Sequence, residues 1–180
     1  VNERLFQNIK DVRNKLIDKE NDPEGSIPNS LILKLIFIRY LIDRNINIDS
    51  EFIKGDDIHS RRYSFSNLIQ EQNKLCDLFI KLNDRFNGVL FKDVDIKLTH
   101  EQALALSDIF RGEVPEKGSL FYGSDFYFEI FDFSIIPVEV ISGIYESLID
   151  PETRDLQSAV YTPSFLVEYM LNDTIDIYLS

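Results

Sequence analysis

Tryptophan is absent from this 180-residue chain, and cysteine and methionine occur once each. A single thiol, Cys76, excludes an internal disulfide framework, and with only His59 and His100 beside it the composition argues against a structural zinc site. Cys76 falls within a helical pattern and reads as a small buried hydrophobe. Basic residues are also short: 19 Lys and Arg stand against 31 Asp and Glu, a net charge of −12. Gripping DNA along its phosphates relies on clustered Lys and Arg, so this segment is not expected to be a main DNA-holding surface. None of the seven glycines forms a Gly-x-Gly pair. No apolar run reaches membrane-spanning length, since the longest, Leu31 to Ile42, is interrupted by Lys34 and Arg39. With no signal-peptide pattern either, the expectation is a cytoplasmic protein with no membrane partner. Asp93-Val94-Asp95 lacks the glycine and the later spaced acids that a calcium loop requires.

What the chain has is apolar mass: 44% hydrophobic residues, with 14 Phe and 8 Tyr, suffice for one globular core. The periodicity is helical. Leu5, Ile9, Val12 and Leu16 fall on one face of a first helix that ends before the Asn21-Asp22-Pro23-Glu24-Gly25 turn. Pro28 opens a second helix that is apolar nearly all round, which places it at the centre of the domain. Within it Arg39 and Asp43 read as an i, i+4 ion pair on the helix surface; with Arg44 they could instead form a polar contact to a neighbouring domain. Residues 46 to 63 read as an irregular connection whose acids are solvated. Its His59-Ser60-Arg61-Arg62-Tyr63 is the best local candidate for touching DNA, although a short basic loop is more commonly a solvated surface.

A third helix is expected from about Ser66, with Leu75, Phe79, Leu82 and Phe86 as its core stripe and Asn87-Gly88 as a left-handed stop. Thr99-His100-Glu101-Gln102 is a capping box that starts a fourth helix through Ala103, Leu106, Ile109 and Phe110, with Gly112 at its end. Leu120 to Phe133 is rich in aromatics, and a short strand or hairpin there stands level with a helical turn. Those aromatics could stack bases, but in an acidic chain they read as packing. A helix from Pro137 to about Ile149 buries Val138, Ile141, Tyr145 and Leu148, with Glu139, Ser142 and Glu146 on another face and Gly143 allowing a close helix contact. The fold class is therefore mainly α: a multi-helix domain over 1–150, then a loop and a last helix over 151–180.

That last helix begins at Thr162-Pro163. Threonine is a good N-cap, and proline suits the first helical position, where its missing N–H costs nothing. The free donors are then those of Ser164 and Phe165, and a helix N-terminus of this kind suits a carboxylate or phosphate, although most such starts merely cap.

The sequence IIPVEVISGIYESLID, a spacer, and then SAVYTPSFLVEYML resembles the segment just upstream of the catalytic core in adenine-specific DNA methyltransferases, especially type IIG restriction–modification enzymes. The resemblance extends back to LIFIRYLIDRNI (Leu35 to Ile46) and KLNDRFNGVLF (Lys81 to Phe91), and so covers most of the chain in order. In that family the element matching Tyr161-Thr162-Pro163 is called motif X and touches the methionine end of S-adenosylmethionine. The resemblance therefore implies S-adenosylmethionine as cofactor, with Ala159, Tyr161, Thr162 and Pro163 lining its edge. Two departures stand out: the family more often has glycine where Ser158 stands, and a basic residue where Leu156 or Gln157 falls.

The family's acidic, glycine-bearing cofactor loop and its Asn-Pro-Pro-aromatic motif, which grips the flipped adenine, are not in these residues, and no PD…ExK nuclease arrangement stands out. What the resemblance implies is a helical connector from a larger DNA adenine-N6 methyltransferase, contributing no catalytic and no metal-binding residue. Its partners would be DNA, through the full-length protein, and the downstream methyltransferase and target-recognition domains. Glu139 could brace the motif X loop. By itself the piece is expected to be inactive and to bind no cofactor detectably, since one edge of a pocket offers too few contacts. Two alternatives remain: a helical interaction module whose acidic surface docks a basic partner, and a methylase-like defence protein without a nuclease.

Overall fold

The computed structural model describes residues 2–17, 26–46, 48–86, 90–92, 96–111 and 132–148. They form six helices and no strand: α1 (Asn2–Leu16), α2 (Ser26–Asp43), α3 (Ile58–Gln70), α4 (Gln72–Phe86), α5 (His100–Arg111) and α6 (Val138–Leu148). The mainly α class expected from periodicity is what the fold has. The aromatic stretch 120–131 and the motif X region, including Ala159, Tyr161, Thr162 and Pro163, lie outside the described residues.

α2 is the axis of the core, and every residue from Leu31 to Asp43 is buried. Helices α1, α3 and α6 pack directly against it. An all-round apolar helix has no face to offer water, so neighbours must cover each side. Even Lys34 is buried; its stem lies in the core, its ammonium donates to Ser30 Oγ at 2.5 Å and sits 5.8 Å from the centre of the Phe79 ring. α2 stops in a left-handed cap at Asn45 (φ 59°), where the Asn45 and Ile46 amides donate to the Ile42 and Leu41 carbonyls at 2.9 and 3.0 Å.

Leu5, Ile9, Val12 and Leu16 of α1 are all buried, as their spacing requires. A methyl group placed on Gly143 of α6 would stand 3.3 Å from Phe6 Cζ, so the glycine does sit at a close approach to α1. On α6, Ile141, Ile144 and Leu148 are buried, but Val138 and Tyr145 are only half-buried and Ser142 is buried with the apolar set. The buried face is thus rotated from the expected one.

The expected single helix from Ser66 to Phe86 is two. α3 starts earlier, at Ile58, because Asp57 caps it: its carboxylate accepts from the Ser60 amide at 2.8 Å and from the Ser60 hydroxyl at 2.5 Å. The segment 58–63 is therefore the first turns of a helix and not part of an irregular loop. The chain leaves helical geometry at Glu71 (φ −97°, ψ 70°) and re-enters as α4. The apolar repeat lapses at this break, since Gln70 to Lys74 are all polar between Ile69 of α3 and Leu75 of α4. The two helices also differ in their partners: Phe65 of α3 packs edge-on to Phe110 of α5 at 5.7 Å, whereas Phe79 of α4 packs on Phe91 at 5.6 Å and Phe86 on Phe37 at 5.5 Å. Gln72 holds the joint by exchanging hydrogen bonds with the Leu98 carbonyl and amide at 2.9 and 3.2 Å. Cys76 is half-buried and not the fully buried hydrophobe expected.

The capping box at α5 is complete: the Thr99 amide donates to Gln102 Oε1 at 3.0 Å and the Gln102 amide to Thr99 Oγ1 at 3.2 Å. Ala103, Leu106, Ile109 and Phe110 are buried, and α5 ends at Arg111, next to Gly112. Arg111 then reaches back across the α3–α5 seam to Ser66 Oγ at 3.2 Å and Asn67 Oδ1 at 2.5 Å, and Gln70 Nε2 donates to Ser107 Oγ at 2.9 Å.

The Asp57 cap carries a pH prediction. Hydrogen bonds from the Ser60 hydroxyl and then the Ser60 amide hold the Asp57 carboxyl below the usual aspartate value, with burial opposing. A carboxyl depressed on folding contributes stability that is present above its unfolded value and is lost as pH falls through the folded one. The start of α3 should therefore fray below about pH 4. In Asp57→Asn, which still caps, Ser60 amide exchange followed by NMR should lose this acid dependence; an unchanged acid limb would refute the assignment.

Candidate functional site

The one concentration of buried charge in the described residues lies where the C-terminal end of α2 meets the start of α3 and the segment leading into α6. Asp43 is at its centre, with no exposed side-chain surface. Its Oδ1 accepts from Arg39 Nε at 2.8 Å, one turn back on α2, and from Arg62 Nε of α3 at 2.7 Å. Its Oδ2 accepts the backbone amide of Phe133 at 3.0 Å. Arg39, equally buried, sends Nη1 to the carbonyl of Phe110 at 2.7 Å and so ties the C-terminal end of α5 into the cluster. Its guanidinium also lies 5.9 Å from the centre of the Phe133 ring.

Around this centre the contacts continue outward. Arg62 Nη2 stands 3.9 Å from Asp132 Oδ1. Asp132 closes a local turn by accepting from the Ser134 hydroxyl and amide at 2.6 and 2.9 Å. The Ser134 hydroxyl bond chiefly holds the Asp132 carboxyl below the usual aspartate value; burial opposes this, and the Ser134 amide, Arg62 and Arg39 add to it. Arg44, stacked on Tyr40 at 4.6 Å, reaches the Ile136 carbonyl at 3.4 Å.

Chemically this cluster organises and does not react. Asp43 is closed to solvent and both of its oxygens are engaged, so it has no approach by which to act as a base or metal ligand. Among the described residues no group of three or more His, Cys, Asp or Glu side chains is arranged to hold a metal ion. A shallow cleft of about 220 Å³ lies between the turn carrying Phe52 and Lys54 and the face of α3 bearing Ser64, Asn67 and Leu68. It is small beside ordinary ligand pockets, which run from about 300 Å³ upward.

Arg39 and Asp43 do form the expected i, i+4 pair, but in the core and not on the helix surface. The signal was present: a helix apolar on all sides has no exposed face on which to place Arg39 and Asp43, so the pair is buried with it. Arg62, read as part of a basic loop, is turned inward to Asp43, and Arg61 is engaged by the Gly55 carbonyl at 3.1 Å and Asn45 Oδ1 at 2.9 Å. Two of the cations offered as a DNA contact are thus engaged within the fold. Glu139, in the first turn of α6, is exposed. Among the described residues, no helix is long and apolar enough to cross a membrane.

No protein-family model matches the chain, and no curated protein or solved structure is found to be similar to it.

Proposed function

We propose that the chain is the helical connector of a DNA adenine-N6 methyltransferase, with Ala159, Tyr161, Thr162 and Pro163 at the edge of an S-adenosylmethionine site and the catalytic groups outside these residues. The observation that carries this reading is the sequence from Phe131 to Leu171, in which a proline-started helix, a polar spacer and Tyr-Thr-Pro follow in the family's order. The helix at Val138–Leu148 supports it, since it falls within the first half of that pattern. So does the engagement of Arg61 by Asn45 and of Arg62 by Asp43, which leaves the gripping of DNA phosphates to other parts of the protein.

When bound, S-adenosylmethionine supplies an electrophilic methyl group, and the adenine amino group that receives it gives up a proton. This chain's share is to orient the cofactor's methionine end with backbone donors at the Thr162-Pro163 helix start, a role that rests on the sequence because those residues lie outside the described ones.

The test is transfer of labelled methyl from S-adenosylmethionine to mixed-sequence DNA by the full-length gene product. Adenine should be labelled, and a Thr162→Ala, Pro163→Ala variant should lose about 10-fold in kcat/KM, equivalent to roughly 1.4 kcal/mol of transition-state stabilisation. Labelling unaffected by the variant would reduce motif X to packing. No label on DNA would favour the reading as an interaction module with an acidic docking surface.

A further inference from the structure

The cleft between the turn at 51–54 and α3 is built from parts already fixed in place. Phe52 and Leu68 give it an apolar lining. The turn is held from α4 by Lys81, whose ammonium donates to Glu51 Oε2 at 2.6 Å and lies 4.8 Å from the centre of the Phe52 ring. It is held from α3 by Ser64, whose Oγ accepts the Lys54 amide at 2.8 Å.

The polar groups lining the cleft are left chiefly with donors to offer. Ser64 Oγ already accepts, so its hydroxyl proton remains; Asn67 Oδ1 accepts from Arg111 Nη2 at 2.5 Å, so its Nδ2 remains. Lys54 adds an exposed ammonium. The two acids of the lining are each met by a cation, Glu51 by Lys81 and Glu71 by Lys74. A chain of net charge −12 repels anions in general, so an anion is held only where local donors prevail, as they do here.

We infer that this cleft is a docking site for the C-terminal residue of a partner polypeptide, with its carboxylate on Lys54, Ser64 and Asn67 and its apolar side chain against Phe52 and Leu68. Size favours this occupant: about 220 Å³ in a shallow cleft is too little to enclose a small molecule, but it admits one residue whose chain runs out through the open side. Donors and apolar surface share that one small space, and the last residue of a chain carries a carboxylate and a side chain on the same Cα. One ammonium with two neutral donors also matches the single charge of a carboxylate, whereas phosphate groups are read by clustered Arg. The inference goes beyond the methyltransferase reading and does not depend on it.

The test is fluorescence anisotropy with the full-length protein and a peptide labelled at its N-terminus, Gly-Ser-Gly-Ser-Leu. It is compared with the same peptide as its C-terminal amide and with one ending in glycine. The free acid should bind saturably at or below millimolar concentration. The amide should bind about 10-fold more weakly, as should the free acid to Lys54→Met, since a hydrogen bond between charged groups carries at least that much. Lys54→Met keeps the backbone bond to Ser64 and so keeps the turn. The glycine-ended peptide should also bind more weakly, having no side chain to bury. Lys54→Arg should bind as the wild type does, and so should Lys10→Met, which removes an exposed cation from α1. Hydrogen exchange should slow on binding in peptides covering 51–54 and 64–71.

Equal affinity for acid and amide would overturn the inference, as would unaltered binding to Lys54→Met or no saturable binding of the free acid. An equal weakening in Lys10→Met would reduce the effect to general charge and overturn it too. None of these outcomes bears on methyl transfer, so this inference and the methyltransferase reading fail separately.

Discussion

Asp43→Ala is expected to destabilise the domain by about 3–5 kcal/mol, the usual cost of breaking a buried ion pair from one side. The reason is what stays behind. Arg39 has no exposed side-chain surface, so its guanidinium would sit in the core without its carboxylate. The Phe133 amide would lose its acceptor, and Arg62, only slightly exposed, would lose its nearest acid. Because a domain's total stability is on the order of 5–15 kcal/mol, such a loss brings the protein close to unfolding at ambient temperature. The measurement is urea unfolding followed by circular dichroism at the helical band, since the chain has no tryptophan to serve as a fluorescent probe.

A companion variant separates charge from packing. Arg39→Met combined with Asp43→Leu removes both ions and keeps the volume, and should recover part of the loss, because apolar replacements of buried pairs are commonly tolerated. A double variant no better than Asp43→Ala would mean that the hydrogen bonds to Phe110 and Phe133, and not the uncompensated charge, dominate. A loss of under about 1 kcal/mol in Asp43→Ala would show that the cluster is solvated in solution, as surface pairs are.

Phe65→Ala should cost a similar amount, about 3–5 kcal/mol, by a different route. Phe65 is fully buried and packs edge-on to Phe110 with ring centres 5.7 Å apart, at the middle of the α3–α5 interface, the most closely associated helix pair among the described residues. Truncation removes the ring's transfer free energy and leaves a void that two fixed helices cannot readily close. Phe65→Leu, which fills much of the void, should cost clearly less. In a double-mutant cycle with Phe110→Leu, the aromatic pair should show a coupling of about 0.5–1.5 kcal/mol. Additive effects would mean that the two rings contribute only through their area. The unfolding midpoint and slope together read both outcomes, since a changed slope would point to the denatured state instead.

Much of the architecture was legible from short-range pattern. The helical periods of Leu5 to Leu16 and of Leu75 to Leu82, the central place of the apolar helix at Leu31 to Ile42, and the Thr99–Gln102 cap are local signals, decided within a turn or two of chain. The Asp57 cap is equally local, but the basic run His59 to Tyr63 that follows it has the composition of a loop. The break at Glu71 is also marked locally, by the polar run Gln70 to Lys74 that interrupts the stripe between Ile69 and Leu75; the expected stripe covered only Leu75 to Phe86. The candidate cofactor edge at Ala159, Tyr161, Thr162 and Pro163 was legible only as a motif, and it lies outside the described residues.

The sequence by itself determined that the chain is mainly helical and acidic, that α2 is central, and where α1, α5 and α6 run. These depend on periodicity, capping and composition, which neighbouring residues settle among themselves. Only the tertiary structure decided that Arg39 and Asp43 are buried, that Arg62 turns inward to join them, and that one carboxylate ties α2 and α3 to the segment entering α6. The contacts of Asp43 with Arg62 and Phe133 join residues distant in sequence, and a charge can be held in a core only where such distant partners arrive to satisfy it.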